Sequence, residues 1–246
     1  MRTRRIPLML RAIEAFVRPM LALTTKHDWR GMEHLPRTGG FVLSPNHVSY
    51  VDPLTFAHFM IANDVPPRFL AKDSLFKLKV LGWILRKAEQ IPVYRLTERA
   101  SEAFSAGVEA VKRGEAVAIY PEGTMTRDPD GWPMSGKTGA VRVALESGCP
   151  LIPAAQWGPQ EIMWGYRKGF HLFPRKTMRV LVGSPVDLGA FRGKPLTTEL
   201  LVAATDVLMD AITVLLIELR GERPTGDRID LHTVNHPKTS DPEVES

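Results

Sequence analysis

Short apolar runs alternate with longer segments of helical periodicity along most of the 246-residue chain. Runs of strand length, bounded by turn residues, predict strands over residues 41–44, 68–71, 90–94, 116–120, 151–155 and 178–183. Apolar residues at helical spacing predict helices over residues 53–62, 75–87, 97–113, 137–147 and 197–220. This alternation indicates an α/β fold, with a mixed, mostly parallel sheet flanked by helices.

The first 30 residues predict an amphipathic segment with a basic start. An apolar run extends to Leu23 and is preceded by Arg2, Arg4 and Arg5. The charges that interrupt the run recur at helical spacing, so they share one narrow face: Arg11, Glu14 and Arg18. A membrane span needs about 20 predominantly apolar residues, and these charges argue against one. The pattern is typical of a helix in a membrane interface, although a helix packed on the protein's own core has a similar pattern.

The remaining composition indicates one domain and an unstructured C-terminus. The chain is 44% hydrophobic, enough for one sizeable core, and we expect the folded domain to span residues 31–221. Residues 222–246 are polar and lack periodicity, which predicts a flexible tail. Cys149 is alone, so there is no disulfide framework. The net charge of +5 favours anionic partners such as membranes or phosphorylated substrates.

The stretch Asn46–Pro53 is the first candidate for chemistry, because it joins a predicted strand to a predicted helix. On one regular helix His47 and Asp52 would point roughly 140° apart, so they meet only if the chain bends between them. A carboxylate that holds one ring nitrogen leaves the other free to take a proton near neutral pH. The alternative is structural, with Asp52 or Ser49 as the helix N-cap and Pro53 at the first helical position.

A second motif follows the strand predicted at residues 116–120, and it reads Tyr-Pro-Glu-Gly-Thr-Met-Thr-Arg over residues 120–127. Together with His47 and Asp52 it resembles the lysophosphatidic acid acyltransferase family of glycerolipid acyltransferases, marked by His-x-x-x-x-Asp followed by Pro-Glu-Gly-Thr. Further blocks of the family match in order: Ala71–Leu75 with Gly82–Leu85 and Ile91–Arg95, then Leu151–Ala155. The resemblance extends from about Gly31 to Gly183.

The resemblance implies an O-acyltransferase that moves a fatty acyl group from acyl-CoA or acyl-carrier protein to the hydroxyl of lysophosphatidic acid, giving phosphatidic acid in phospholipid synthesis. Acylation of glycerol 3-phosphate or of another lysophospholipid is the alternative within this class. His47 would act as general base on the acceptor hydroxyl, and Asp52 would orient its ring.

The expected partners are a phospholipid membrane surface, the lysophospholipid acceptor and the acyl donor, with no resident cofactor and no nucleic acid. We expect a peripheral or monotopic protein at the cytoplasmic face of the cell membrane.

The acceptor phosphate needs cations, and the resemblance points to Lys72, Arg95 and Arg127. The candidate phosphate site also includes the Glu-Gly-Thr residues of the second motif and a lysine near a predicted helix start: Glu122, Gly123, Thr124 and Lys137.

One departure from the family concerns Arg127. Many family members read Glu-Gly-Thr-Arg, whereas Met125 and Thr126 here separate Thr124 from Arg127, so either a bulge in the loop or another cation must compensate. Glu122 is expected to organise the loop through hydrogen bonds and to stay ionised near these cations.

Residues 131–138 match the P-loop pattern G-x-x-x-x-G-K-[ST] and raise a P-loop nucleotidase as a rival from a different class. A P-loop follows directly on a buried strand, whereas a turn sequence precedes Gly131 here. Pro133 also lacks the N–H that a phosphate cradle uses. The pattern therefore does not favour nucleotide binding. No metal site is expected, because the histidines lack metal-ligand spacing and HExxH is absent.

Overall fold

The computed structural model describes residues 5–93, 100–164 and 169–230. Its strands are β1 (Thr25–Arg30), β2 (Phe41–Pro45), β3 (Pro67–Lys72), β4 (Ile91–Val93), β5 (Ala116–Ala118), β6 (Leu151–Trp157) and β7 (Lys176–Val182). Its helices are α1 (Leu8–Thr24), α2 (Asp52–Ala62), α3 (Asp73–Lys77), α4 (Lys79–Lys87), α5 (Ala100–Lys112), α6 (Gly139–Ser147), α7 (Pro159–Ile162) and α8 (Thr198–Arg220). A short 3-10 helix spans Met32–His34.

The seven strands form one mixed, mostly parallel sheet, which confirms the predicted fold class. The strand order is β1-β7-β6-β2-β5-β3-β4, and only β6 and β7 pair antiparallel among the described strands. In the centre, Val42 of β2 lies opposite Val117 of β5 and Leu151 of β6. Because β2 and β5 are parallel, the segments that follow them leave the sheet at the same edge.

Both faces of the sheet are covered by helices. Val42 lies in a buried cluster with residues of α5, α6 and α8, whereas its neighbours Phe41 and Leu43 lie in a cluster with α2. This alternation is the two-residue period of a strand. Burial on both faces explains why the strands are continuous apolar runs in the sequence.

Strand β1 is missed by the hydrophobic pattern. Its sequence, Thr-Lys-His-Asp-Trp-Arg, is polar because it is an edge strand, paired only with β7 and partly exposed. Residues 25–30 therefore belong to the sheet, and the boundary expected at residue 30 falls inside the folded domain.

The helix predicted over residues 75–87 is two helices, α3 and α4, separated at Leu78, whose backbone is extended. The second helix turns back so closely that a Cβ at Gly82 would lie 2.1 Å from the carbonyl oxygen of Phe76. Gly82 thus permits a tight corner that a side chain would prevent.

Helix α1 packs on the domain through Leu10, which lies in a buried cluster with Ile61 and Ala88. Its outer side is largely apolar, and Phe16 is 81% exposed there. Other large side chains on this outer side are Leu8, Met20 and Leu23.

Helix α8 is the one helix in the described ranges that is long and apolar enough to cross a membrane, judged by length and composition. Its buried residues recur at helical spacing: Leu201, Ala204, Thr205, Leu208, Met209, Ile212, Leu216 and Leu219. The helix contacts β6, β7 and α6. This buried stripe is typical of a helix that covers a sheet.

The tail expected from residue 222 onward is in contact with the domain over its first residues. The N–H of Ser135 donates to the carbonyl of Ile229 at 2.9 Å, and Arg228 forms an ion pair with Asp210. Residues 231–246 lie outside the described residues.

Candidate active site

The chain bends between β2 and α2 and brings His47 against Asp52, as the spacing predicts. Nδ1 of His47 lies 2.8 Å from Oδ2 of Asp52. The same oxygen accepts the backbone N–H groups of Val48 at 2.6 Å and Ser49 at 2.8 Å. The Asp52 side chain is fully buried, whereas the His47 side chain is 16% exposed. One carboxylate oxygen therefore fixes both the bend and the ring.

This contact determines what the imidazole can do. A carboxylate accepts hydrogen bonds, so Nδ1 carries the proton and Nε2 is left as an acceptor. The capping alternative does not describe Asp52, which is the first residue of α2 and makes no side-chain bond to the helix amides. Its donors precede the helix instead. Ser49 does not cap the helix either. Its hydroxyl donates to the carbonyl of Met163 at 2.5 Å and accepts the N–H of Val51 at 3.1 Å, and Val51 precedes the helix.

Asn46, at the start of the bend, forms hydrogen bonds with the neighbouring strand β6. Its side chain donates to the carbonyl of Gln156 at 3.1 Å and accepts the Gln156 N–H at 2.8 Å. The Gln156 side chain donates in return to the carbonyl of Asn46 at 2.8 Å. Both side chains are buried. They extend the pairing of β2 and β6 beyond the end of the regular ladder, directly beside His47.

The loop after β5 holds the backbone of His47 from both sides. The N–H of His47 donates to Oε1 of Glu122 at 2.9 Å. Its carbonyl accepts the N–H of Thr126 at 2.7 Å. The second oxygen of Glu122 accepts the N–H of Met134 at 3.0 Å. The two sequence motifs therefore meet through hydrogen bonds to the histidine backbone.

Glu122 is fully buried, and its protonation differs from expectation. Burial raises its pKa to about 8, while the backbone N–H groups of Met134 and His47 partly oppose the shift and the charge of Asp52 adds to it. This pKa favours the neutral form at neutral pH, in contrast to the ionised carboxylate expected from nearby cations. Its position behind His47 makes it a structural link between the two motifs.

The ring of Tyr120 supports the imidazole of His47. The two rings stack with centroids 4.3 Å apart and an interplanar angle of 30°. Burial and the charge of Asp52 raise the pKa of Tyr120 well above its ordinary value, so the phenol stays neutral. The side chain thus offers His47 an uncharged face.

Gly123 and Lys137 form the turn next to this ring. Gly123 has φ +66°, and a Cβ there would lie 3.0 Å from the Lys137 side chain. The N–H of Lys137 donates to the carbonyl of Pro121 at 2.7 Å. Lys137 therefore lies over the Glu-Gly-Thr turn with an exposed side chain.

The other candidate phosphate-binding residues that the structure describes follow the carboxyl ends of β3 and β5, and they differ in exposure. Thr124 and Arg127 are half-buried in the loop after β5. Lys72 is exposed at the carboxyl end of β3, where it pairs in register with Val93 of β4. Arg95 lies outside the described residues.

Residues 131–138 do not form a phosphate cradle. Their N–H groups are bonded within the protein, that of Trp132 to Asp128, that of Met134 to Glu122 and that of Ser135 to Ile229. A turn rather than a strand precedes Gly131. The P-loop pattern is therefore coincidental. Within the described ranges no cluster of His, Cys, Asp and Glu could hold a metal ion.

A cleft of about 990 Å³ lies at the opposite edge of the sheet. It is lined by residues that precede strands, including Gly39, Pro66 and Glu115. The candidate active site is therefore identified by its side-chain chemistry and not by cavity size.

The sequence pattern gave no role to Asn46, Gln156 or Thr126. Each acts through a partner far along the chain, which spacing alone does not reveal. The available signal for Asn46 was its position, because this amide follows the apolar run of a central strand and directly precedes His47.

Comparison with known proteins gives concordant results. A family model described as Acyltransferase matches residues 26–157, which include both motifs. The chain is 32% identical over 183 residues to a 1-acyl-sn-glycerol-3-phosphate acyltransferase of Bacillus subtilis, covering 74% of this chain and 84% of that protein. A chloroplastic 1-acyl-sn-glycerol-3-phosphate acyltransferase of Brassica napus, BAT2, is 28% identical over 163 residues, covering 65% of this chain and 45% of that protein.

Among solved structures, the chain is similar to the 1-acyl-sn-glycerophosphate (LPA) acyltransferase PlsC from Thermotoga maritima. The TM-score is 0.62 at 24% sequence identity, with 87% of this chain and 81% of that chain covered. This likeness supports the fold.

Proposed function

The chain belongs to the acyltransferase family, among the 1-acyl-sn-glycerol-3-phosphate acyltransferases, and on this premise we propose that it acylates the hydroxyl of lysophosphatidic acid to give phosphatidic acid. The observation that carries the proposal is the 2.8 Å contact between Nδ1 of His47 and the buried Asp52 carboxylate. Acylation of glycerol 3-phosphate or of another lysophospholipid is the alternative for the same chemistry.

In this function His47 is the general base and Asp52 positions it. Nε2 takes the proton of the acceptor hydroxyl as that oxygen attacks the acyl carbonyl carbon. The new C–O bond forms, the C–S bond of the thioester breaks, and the imidazolium returns the proton to the leaving thiolate. The incoming hydroxyl is the nucleophile, so no covalent enzyme intermediate is required. Asp52 stabilises the imidazolium while it exists.

We assign the acceptor phosphate to cations at the catalytic edge of the sheet: Lys72, Arg95, Arg127 and Lys137. Support comes from the position of Lys137 over the Gly123 turn and of Lys72 at the carboxyl end of β3. Thr124 offers a hydroxyl in the same loop. Glu122 and Gly123 act here by shaping that loop, since the Glu122 oxygens already accept two backbone N–H groups.

The proposed donor is a fatty acyl thioester of coenzyme A or of acyl-carrier protein, and the proposed location is the cytoplasmic face of the cell membrane. The apolar outer side of α1, with Phe16 81% and Leu23 70% exposed, supports peripheral or monotopic attachment to a phospholipid surface. Arg11 and Arg18 on the same helix suit anionic head groups.

Product analysis with the purified full-length protein tests this function, using a panel of acyl-CoA and acyl-carrier-protein donors with lysophosphatidic acid or glycerol 3-phosphate as acceptor. We expect phosphatidic acid as the product. His47→Ala should lower turnover at least about a hundredfold with an unchanged circular dichroism spectrum, because general-base catalysis typically contributes roughly 10²–10⁴-fold.

The matched control is His34→Ala, which alters a partly exposed histidine of the 3-10 helix and should leave turnover unchanged. Wild-type turnover in His47→Ala would contradict the general-base role. Acylation of glycerol 3-phosphate alone would contradict the proposed acceptor.

A further inference from the structure

The crossover from β3 to β4 leaves its apolar side chains at the surface. In an ordinary crossover the helix covers a face of the sheet with its apolar side. Here Gly82 is the one buried residue of α3 and α4. Large apolar side chains are instead exposed over residues 75–83: Leu75 by 38%, Leu78 by 54%, Val80 by 72%, Leu81 by 38% and Trp83 by 52%.

The exposed side chains of α4 are arranged like those of an interfacial helix. Trp83 lies one turn from Lys79 on one side and one turn from Lys87 on the other, and Val80 is on the adjacent position of the same face. Tryptophan prefers the boundary between apolar and aqueous phases, and flanking lysines suit anionic head groups. Within the described part of the chain, the ion pair of this segment joins Lys77 to Asp73, and neither Lys79 nor Lys87 forms one.

This face lies between the catalytic edge and α1. Helix α3 begins directly after Lys72, at the carboxyl end of β3. After α4, Ala88 packs against Leu10 of α1. Lys87 and Leu8 of α1 line the same cleft of about 990 Å³. The exposed side of α4 therefore adjoins another apolar exposed helix.

We propose that the α4 face, defined by Leu78, Lys79, Val80, Trp83 and Lys87, binds the surface of an anionic phospholipid bilayer as a second contact besides α1. The charge of the face decides between occupants, because it combines apolar side chains with unpaired cations and no carboxylate. The proposal rests on the proposed lipid acceptor, since an enzyme that acylates a lipid resident in a bilayer works at the bilayer surface.

Vesicle flotation with the full-length protein tests the proposal, using phosphatidylcholine vesicles with and without phosphatidylglycerol. Val80→Asp and Trp83→Gln should each lower partitioning onto the anionic vesicles about tenfold or more, because each removes apolar contact with the bilayer. Lys79→Ala and Lys87→Ala should lower it about fivefold each, and only when phosphatidylglycerol is present. All four side chains are exposed, so we expect each variant to fold, and an unchanged circular dichroism spectrum checks this.

The matched control is Val214→Asp on α8, where the valine is 63% exposed and its helix packs on the opposite face of the sheet from α2. It should leave vesicle binding unchanged. Turnover of a short-chain, water-soluble lysophosphatidic acid should be unchanged in every variant.

Several outcomes would overturn the proposal: full vesicle binding by Val80→Asp and Trp83→Gln, equal loss by Val214→Asp, or self-association that depends on Trp83. A parallel loss of turnover on the soluble acceptor would also do so, because the segment would then serve the catalytic site. The two proposals can also be separated. If the variants lose vesicle binding but the wild-type protein does not acylate lysophosphatidic acid, the α4 face is supported and the proposed function is contradicted.

Discussion

The imidazole of His47 is fixed at one ring nitrogen, at its backbone N–H and carbonyl, and across one face of its ring. The sequence predicted the first of these contacts, because a histidine and an aspartate five positions apart can meet only if the chain bends between them. The contacts to Glu122, Thr126 and Tyr120 depend on a loop about 75 residues later, and local spacing contains no information about them. The neutral state of Glu122 was missed for the same reason, since it follows from burial in the folded chain.

Asp52→Asn tests the positioning of the ring. An amide preserves the shape of the side chain but presents an N–H₂ group that competes with the Nδ1 proton and the two backbone donors, so the ring tautomer is no longer fixed. We expect kcat to fall at least about a hundredfold with little change in KM for the acceptor. Steady-state kinetics measure both, with Asp187→Asn, an exposed aspartate, as the control. If Asp52→Asn has the kcat of the wild type, Asp52 only stabilises the bend between β2 and α2.

Glu122→Gln tests the buried carboxyl through the pH dependence of stability. The pKa of Glu122 in the folded protein, about 8, is above that of an unfolded glutamate, so the folded state binds the proton more tightly. Its contribution to the free energy of unfolding is complete below about pH 4.5 and is lost as pH rises towards 8, by on the order of a few kcal/mol. Glutamine does not titrate.

Urea unfolding across this pH range measures the effect as the difference between wild type and variant. The free energy of unfolding of the wild type should fall more steeply with pH than that of Glu122→Gln. Parallel curves would mean that the pKa of Glu122 is not raised in the folded protein.

The secondary structure elements were predictable in proportion to their burial. Central strands such as β2 and β6 are continuous apolar runs, and the pattern located them within two residues. The polar edge strand β1 gave no such signal, and the break between α3 and α4 depends on a close approach to Gly82 that periodicity does not register.

The junction of β2 and β6 should carry both stability and catalysis. Asn46→Ala removes two side-chain hydrogen bonds and leaves the buried backbone N–H and carbonyl of Gln156 without these partners, so we expect a loss of about 1–3 kcal/mol in the free energy of unfolding. Because Asn46 adjoins His47, kcat should also fall.

Urea unfolding and steady-state kinetics check this pair of effects. Asn63→Ala is the control, since Asn63 makes one part-buried bond at the end of α2, away from the bend. It should lower stability slightly and leave kcat unchanged. A destabilised Asn46→Ala protein with full kcat would show that the junction does not hold the histidine.

For the whole chain, alternating elements predicted the class of fold and, with the resemblance, the place of both motifs at one edge of the sheet. The exact strand order was not predictable, because the apolar runs of central strands are interchangeable in the sequence. The boundary near residue 30 was misplaced because an edge strand contributes little burial. Exposed apolar surface, as on α1 and α4, is visible only once the core is known.

Two separate contacts with one bilayer should act together. Phe16→Asp on α1 should weaken binding to anionic vesicles, and the double variant Phe16→Asp/Val80→Asp should bind more weakly than either single variant, because the second contact forms at high effective concentration once the first exists. Vesicle flotation measures all three proteins, with Val214→Asp as control. A double variant that binds as well as Phe16→Asp would show that α1 alone attaches the protein.

The loop after β5 forms hydrogen bonds to both the N–H and the carbonyl of His47, and this has a consequence for synthesis of the protein. The chain up to the end of β5 contains the histidine and the aspartate, yet it lacks Glu122, Thr126 and Met134. On the proposed chemistry, we therefore expect no competent acyl-transfer centre in a nascent chain until these residues have left the ribosome and β5 has docked beside β2. We expect an early-terminated product that carries only the first motif to be inert towards acyl thioesters.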